Sequence, residues 1–331
     1  MKMNKTRICI LVNINLIFFL LTSCNPKEKP HSNNKKNELP VIAENWWQVA
    51  RVPDLGEYNN VKMEPVDFAV WQDEDGSWQL VSCIRYCGEN ANFRLLHRWE
   101  GKNLTDTLWE PKGIFMMADS TLGEQHGWIQ APYVVKKDGV YQFFYGGGGQ
   151  ICLALSTDGK NFEKQVQSNG KTKLFEGEEY DRARDIMIMQ YENQYYGYYT
   201  GSIINNWPDD TKGAVFCRKS DDLKQWGKEV KVSETEENVI SFLSSECPQV
   251  INKNDYFYLF KTQEYKPGAQ QTTIFRSNDP LNFGINTDSL KVKTVSVAAP
   301  EIINYKGKYY IAALMPDLKG IRISELSWEN I

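Results

Sequence analysis

The feature that most constrains this chain is a degenerate block that recurs about every 55–65 residues. Its clearest copies begin Gln130-Ala131-Pro132-Tyr133, Glu246-Cys247-Pro248-Gln249 and Ala298-Ala299-Pro300-Glu301. Weaker copies begin at Val66-Asp67-Phe68-Ala69 and Arg184-Asp185-Ile186-Met187. Each is an apolar run, a polar turn and an aromatic-rich run; the turns are Asp75-Gly76, Asp138-Gly139, Glu192-Asn193, Asn254-Asp255 and Lys306-Gly307. Two β-rich runs joined by a short Gly, Asn or Asp turn are a hairpin. A repeat of this length has room for about four strands, which is a propeller blade. Five copies predict an all-β, five-bladed β-propeller in a single domain. Propeller blades set their first strands around one axis, so Asp67, Asp185 and Glu246, distant in sequence, are predicted to converge at one end of the channel.

Second halves of blades repeat too. Ile151–Phe162, Ala214–Trp226 and Thr273–Phe283 each read as an alternating strand, a Ser-x-Asp turn and an aromatic residue. Ser and Asp at such positions bond nearby backbone groups, so Asp158, Asp221 and Asp279 are predicted to be structural. Blade five, from about Val297 to Trp328, is short of strands. A strand around Trp46 to Val52 is predicted to complete it and close the ring. The Gly146–Gly149 run lacks the Gly-Lys-Ser/Thr continuation of a phosphate loop and is read as a close approach of backbone to ligand or to a neighbouring blade.

Ahead of the repeats, Lys2, Lys5 and Arg7 precede an apolar run, Ile8 to Leu21, that is broken by Asn13 and Asn15. This is the pattern of an export signal, too short and interrupted for a good spanning helix. It ends in Leu21-Thr22-Ser23-Cys24, which resembles a bacterial lipobox. Residues 1–23 are accordingly read as a signal peptide and 24–40 as a lipidated Cys24 with a flexible Lys-, Asn- and Pro-rich tether. Residues 41–331 are read as the propeller, held by its lipid at the bacterial cell envelope. The net charge of −4 gives no reason to expect nucleic acid as a partner. With Cys9 cleaved and Cys24 lipidated, five cysteines remain, an odd number. Buried free thiols are predicted, with a Cys83–Cys87 bridge as the alternative.

Asp67 in the first blade, Arg184-Asp185 in the third and Glu246-Cys247-Pro248 in the fourth resemble the three-carboxylate pattern of five-bladed propeller glycoside hydrolases of families 43 and 32. The resemblance spans nearly the whole predicted domain. Two departures, Pro65-Val66-Asp67-Phe68 in place of the family 32 Asn-Asp-Pro motif and Ile186 in place of Pro, point toward family 43 or a sister group. It implies a hydrolase that removes a terminal sugar from plant- or alga-derived oligosaccharides without an organic cofactor, and leaves room for a structural Ca²⁺ in the central channel. Glycosidic cleavage takes one carboxylic acid to protonate the leaving oxygen and one carboxylate to activate water or attack carbon. Glu246 is assigned as the acid, Asp67 as base or nucleophile, and Asp185 as the group that orients the sugar and tunes the acid, with Glu64 as a rival to Asp67. Arg184 is its charge partner or a substrate clamp.

Trp128 and Gln130 are predicted to stack on and bond a sugar, with Arg85, Tyr86, His126 and Gln263 as further binding residues. His97 is read as structural, and Glu301 as structural or on the rim. Three histidines without paired spacing give no metal site. Two other readings stay open: a non-catalytic glycan-binding lipoprotein on the same scaffold, and a phosphorylase of the family 130 type using Arg182 and Arg184 for phosphate.

Overall fold

The computed structural model describes residues 38–206, 210–235 and 242–330. The signal peptide, Cys24 and most of the tether lie outside the described residues. Five antiparallel sheets follow one another along the chain. Blade one spans Glu64–Met116, blade two Gln130–Glu176, blade three Arg182–Glu234 and blade four Glu246–Val295. Blade five is built on Glu301–Tyr305, Lys308–Leu314 and Gly320–Asn330.

Blade five is completed from the other end of the described chain. Trp47–Arg51 and Glu38–Ile42 both pair with Gly320–Asn330, in registers that set Trp47 opposite Ile323 and Glu38 opposite Asn330. The sequence predicts the first of these strands. The second begins at Glu38, inside the segment read as tether, so the folded domain starts earlier than residue 41.

The second strand of each blade lies between neighbouring sheets and is buried on both faces, which is why it reads as an unbroken apolar and aromatic run. Tyr-Gln-Phe-Phe-Tyr at 141–145 and Tyr-Phe-Tyr-Leu-Phe at 256–260 are examples. Aromatic residues also fill the seams between blades. Phe162, after a Ser-x-Asp turn, packs on Phe143 and Trp71; Trp226 packs on Phe144, and Phe283 on Tyr198. The 13% aromatic content is therefore largely consumed in the core.

The hairpins adopt the turns their residues favour, with positive φ at both central positions of Asp138-Gly139, Asn254-Asp255 and Lys306-Gly307. The Ser-x-Asp turns are satisfied locally. Ser156 Oγ donates to Asp158 Oδ1 at 2.7 Å, and Asp158 Oδ1 also accepts from the backbone of Lys160 and Asn161 at 2.8 Å. In blade three the carboxylate in that place is Asp222, which accepts from Lys224 and Gln225, and not Asp221. The residue two places after the serine reaches back over the turn, while Asp221 meets Gln194 on the surface.

All five described cysteines are free thiols: Cys83, Cys87, Cys152 and Cys217 are buried and Cys247 is half-buried. His97 is buried against Trp99, with ring centroids 4.3 Å apart; burial lowers its pKa to about 4, so it stays neutral in the sheet.

Candidate active site

Each innermost strand carries the same irregularity. Asp67, Ala131, Asp185, Cys247 and Ala299, one per blade, all have φ between 36° and 57°. In four blades the pairing register shifts at this residue. This is a β-bulge repeated around the axis, at which a non-glycine residue in left-handed conformation costs about 1–3 kcal/mol. The five bulge residues and those following them ring a narrow axial opening. Three blades place a small side chain there; blades one and three place an aspartate.

The bulge also corrects the predicted equivalence of the three carboxylates. Asp67 and Asp185 occupy the bulge position itself. Glu246 sits one residue earlier, in the place that holds Gln130 in blade two and Arg184 in blade three. Because the bulge turns successive side chains to different sides of the axis, the two kinds of position meet without sharing a register.

Above the axial opening lies a cavity of ≈ 700 Å³ whose wall includes Asp67, Asp185, Glu246 and Arg184. Arg184 is buried and forms an ion pair with Glu246. It also donates to Ser202 Oγ at 2.6 Å and lies 3.5 Å through Nε from Asp185 Oδ2. Cys247 ties the aspartates together: its backbone N–H donates to Asp185 Oδ2 at 3.3 Å and its Sγ–H to Asp67 Oδ1 at 3.3 Å. Its sulfur also lies 3.0 Å from the hydroxyl of the buried Tyr265.

Burial sets the electrostatics. It pushes Asp185 up to about 7, against the pull of the neighbouring Arg184, with Asp67 and Glu246 adding like-charge repulsion. Burial likewise raises Glu246, and Arg184 only partly offsets it. The Cys247 thiol is pushed far up by burial and by the three carboxyls, so it remains a donor and not a nucleophile.

The cavity takes in most of the predicted binding residues. Trp128 and Gln130 line it, joined by Arg94, whose guanidinium stacks on Trp128 at 4.3 Å and donates to Gln130 Oε1. Arg85 and Tyr86 line it as well; Arg85 donates to Glu64 Oε2 at 2.7 and 2.9 Å and lies 4.9 Å over the Tyr86 ring. That pairing occupies Glu64, the rival to Asp67. Gly148 and Gly149 form part of the wall with φ of 93° and 99°. A Cβ on Gly148 would stand 2.3 Å from Gln125 Cβ, so the close approach needs glycine.

Two predicted binding residues are not in the wall. His126 is exposed and its ring packs edge-on against Phe93, 5.5 Å away. Gln263 is turned away to accept from Thr273 Oγ1, because the register slips between Thr262 and Glu264. The same slip brings Tyr265 and Lys266 to the cavity in its stead. Arg94, Tyr265 and Lys266 are not singled out by the sequence, and Cys247 enters there only as part of the Glu246-Cys247-Pro248 motif, without a site role. For Tyr265 the step of two from Gln263 along a strand is a usable signal; for Arg94, in Phe93-Arg94-Leu95, there is none.

Glu301 belongs to the frame. Both its oxygens lie 3.1 Å from the backbone N of Val70, joining blade five to blade one, and burial raises its pKa to about 8. Among the described residues no group of three or more His, Cys, Asp or Glu is placed to hold a metal ion.

No protein-family model matches the chain, and no curated protein matches it in sequence. Solved structures match it in fold. A thermostable family 43 glycoside hydrolase aligns with a TM-score of 0.59 at 18% identity, over 83% of this chain and 92% of its own. An endo-arabinase from Bacteroides thetaiotaomicron aligns at 0.59 and 14% identity, over 82% and 95%. A family 43 β-xylosidase/α-arabinofuranosidase from a compost microbial metagenome, in complex with xylotriose and in a calcium-free form, aligns at 0.57 and 15% identity, over 85% and 98%. The likeness establishes the five-bladed fold.

Proposed function

We propose that this chain is a glycoside hydrolase whose acid is Glu246 and whose opposing carboxylate is Asp67. The observation that carries the reading is the meeting of three carboxyls from three blades in one cavity wall, two of them with raised proton affinity. A carboxyl whose hold on its proton is raised is suited to deliver it to a departing sugar oxygen. Arg184 orients Glu246 by direct contact and balances the charge left when the proton has gone. Asp67, held by the Cys247 thiol, supplies the electron pair on the other side of the sugar, through a water or directly to the anomeric carbon. Asp185 shares Arg184 with Glu246 and so tunes how firmly the acid holds its proton.

Fold similarity at low identity to an endo-arabinase, a family 43 β-xylosidase/α-arabinofuranosidase and an α-L-arabinofuranosidase supports a carbohydrate substrate. A cavity closed below by the narrow axial opening favours a sugar at a chain end, and the proposal extends to release of a terminal residue from plant or algal oligosaccharides. Carboxylates do all the proton and electron-pair work in this scheme, so no organic cofactor enters it.

The leading residues support export and lipidation at Cys24, and with them a place at the bacterial cell envelope. Metabolic labelling with a fatty acid checks this: label and membrane association are expected to vanish together in Cys24→Ala, and a soluble, unlabelled wild type would refute it.

Hydrolysis of a panel of aryl glycosides and plant and algal oligosaccharides tests the enzyme reading. Glu246→Gln and Asp67→Asn, with folding checked by circular dichroism, are each expected to lose about 10²–10⁴-fold in kcat. A wild type inert on every member, yet binding glycans as tightly as both variants do, would identify a binding protein instead.

A further inference from the structure

The cavity wall carries more positive charge than the proposed chemistry uses. Five cations and four carboxyls line it, in a protein whose net charge is −4. Two of the cations are spent on carboxylates: Arg184 on Glu246 and Arg85 on Glu64. Arg94, Arg182 and Lys266 make no ion pair among the described residues, while Asp185 is partly neutralised by burial. The unspent cations stand on different elements. Arg94 comes from the third strand of blade one, Arg182 opens the first strand of blade three, and Lys266 follows the second strand of blade four.

Arg94 is the informative one. It is half-buried, with its guanidinium carbon 4.3 Å from the centre of the Trp128 ring, and donates through Nη1 to the amide oxygen of Gln130. A guanidinium has five N–H donors in one plane, and the bond to Gln130 uses one of them in a residue that lines the cavity. The ring, the amide oxygen and the nearby Glu246 compensate this charge in part, but none is a direct ion pair, and an anionic group on the sugar would add one where a neutral sugar adds none.

We propose that the cavity selects a sugar bearing an anionic substituent, a carboxylate or a sulfate ester, and that Arg94 grips it, with Arg182 and Lys266 completing a basic wall. The proposal rests on the glycosidase reading for bond cleavage, but not for binding itself. It makes Arg94 a specificity determinant in the wall it shares with Glu246.

Titration of the full folded domain with sodium galacturonate, sodium sulfate and galactose, monitored by calorimetry, separates the two claims. Galacturonate or sulfate is expected to bind in the millimolar range and galactose at least about 10-fold more weakly, with the anion affinity falling as salt is added. Arg94→Gln is expected to erase the preference for the anion over galactose, and Arg94→Lys to restore part of it because charge returns without the planar fork. The carboxylate and sulfate arms tell which anion fits better. Galactose binding as well as both anions, or an Arg94→Gln variant with an unchanged preference, would overturn the proposal.

Turnover is then read separately, on native uronate-bearing or sulfated oligosaccharides and on their carboxyl-reduced or desulfated counterparts. Anion-selective binding without turnover would leave this inference standing and remove the glycosidase reading. Turnover that requires inorganic phosphate would assign the cations to a co-substrate and overturn the inference.

Discussion

Asp158 and Asp222, in the turns that end the third strands of blades two and three, each accept hydrogen bonds from two backbone N–H groups and from a serine. Those donors hold both carboxyls below the ordinary aspartate value. Asp185, at the axis of the same blade three, has one backbone donor at 3.3 Å and lies buried among other carboxyls, and its proton affinity rises. Both sets belong to repeated motifs, and both are aspartates on the same scaffold. What separates them is solvation: turn carboxylates lie near the surface and are held by backbone donors, which stabilises the fold, whereas Asp185 and Glu246 are buried, and burial outweighs the pull of Arg184 and raises their hold on a proton.

The largest effect expected from this contrast is a crossed one. Glu246→Gln lowers kcat by about 10²–10⁴-fold, whereas Asp158→Ala leaves kcat unchanged and lowers stability by about 1–2 kcal/mol through lost turn hydrogen bonds. Steady-state kinetics beside thermal unfolding of both variants checks it. Loss of activity in Asp158→Ala at full stability would break the comparison.

Next in size is the thiol that holds Asp67. Cys247→Ala removes the donor to Asp67 Oδ1 and leaves the bulge backbone in place. Steady-state kinetics is expected to show an activity loss of about 10-fold, because Asp67 loses the donor that holds its carboxyl in place. An unaltered kcat would reduce Cys247 to packing.

Glu301 sharpens the contrast from the side of stability. Its folded pKa of about 8 lies above the ordinary 4.5, so the folded chain holds this proton more tightly than the unfolded one. Its contribution is complete below about pH 4.5 and is lost as pH rises through about 8. Asp185 and Glu246 act in the same direction. The Tm is expected to fall as pH rises from about 5 to about 8, and Glu301→Gln, which preserves an acceptor for Val70 N, to flatten that fall. A variant with the wild-type slope would mean that Glu301 is ionised in the fold.

The smallest expected effect separates two neighbours. Asp222→Ala lowers Tm by a few degrees, and Asp221→Ala, which loses only a surface contact with Gln194, does not. That pair also marks where sequence reading stops. The blades, their hairpins and the ring closure by Trp47–Arg51 are legible because they are written as periodic apolar runs and turn residues, repeated five times. A one-residue choice within a turn is not legible, since Asp221 and Asp222 have the same chemistry and only backbone geometry selects between them.

The site obeys the same rule. Asp67, Asp185, Glu246 and Arg184 are found because they stand at the start of repeated strands. The bulge that sets Glu246 a residue out of step is a backbone event with no residue type of its own: Asp, Ala and Cys all occupy it. Gln263 fails and Tyr265 succeeds because of a second register slip, equally silent in sequence. Arg94 reaches the cavity from a strand not adjacent to the axis, by stacking on a loop tryptophan, a tertiary contact no periodicity encodes.

Titration of individual carboxyls by carbon-detected NMR, on protein labelled at Asp and Glu side chains, tests the difference between the two sets most directly. Asp158 and Asp222 are expected to titrate below the ordinary aspartate value, Glu246 above the ordinary glutamate value, and Asp185 near 7. Axial and turn carboxyls that titrate together in the ordinary acid range would contradict the account, because burial would then give Glu246 no firmer hold on its proton than a turn carboxyl has.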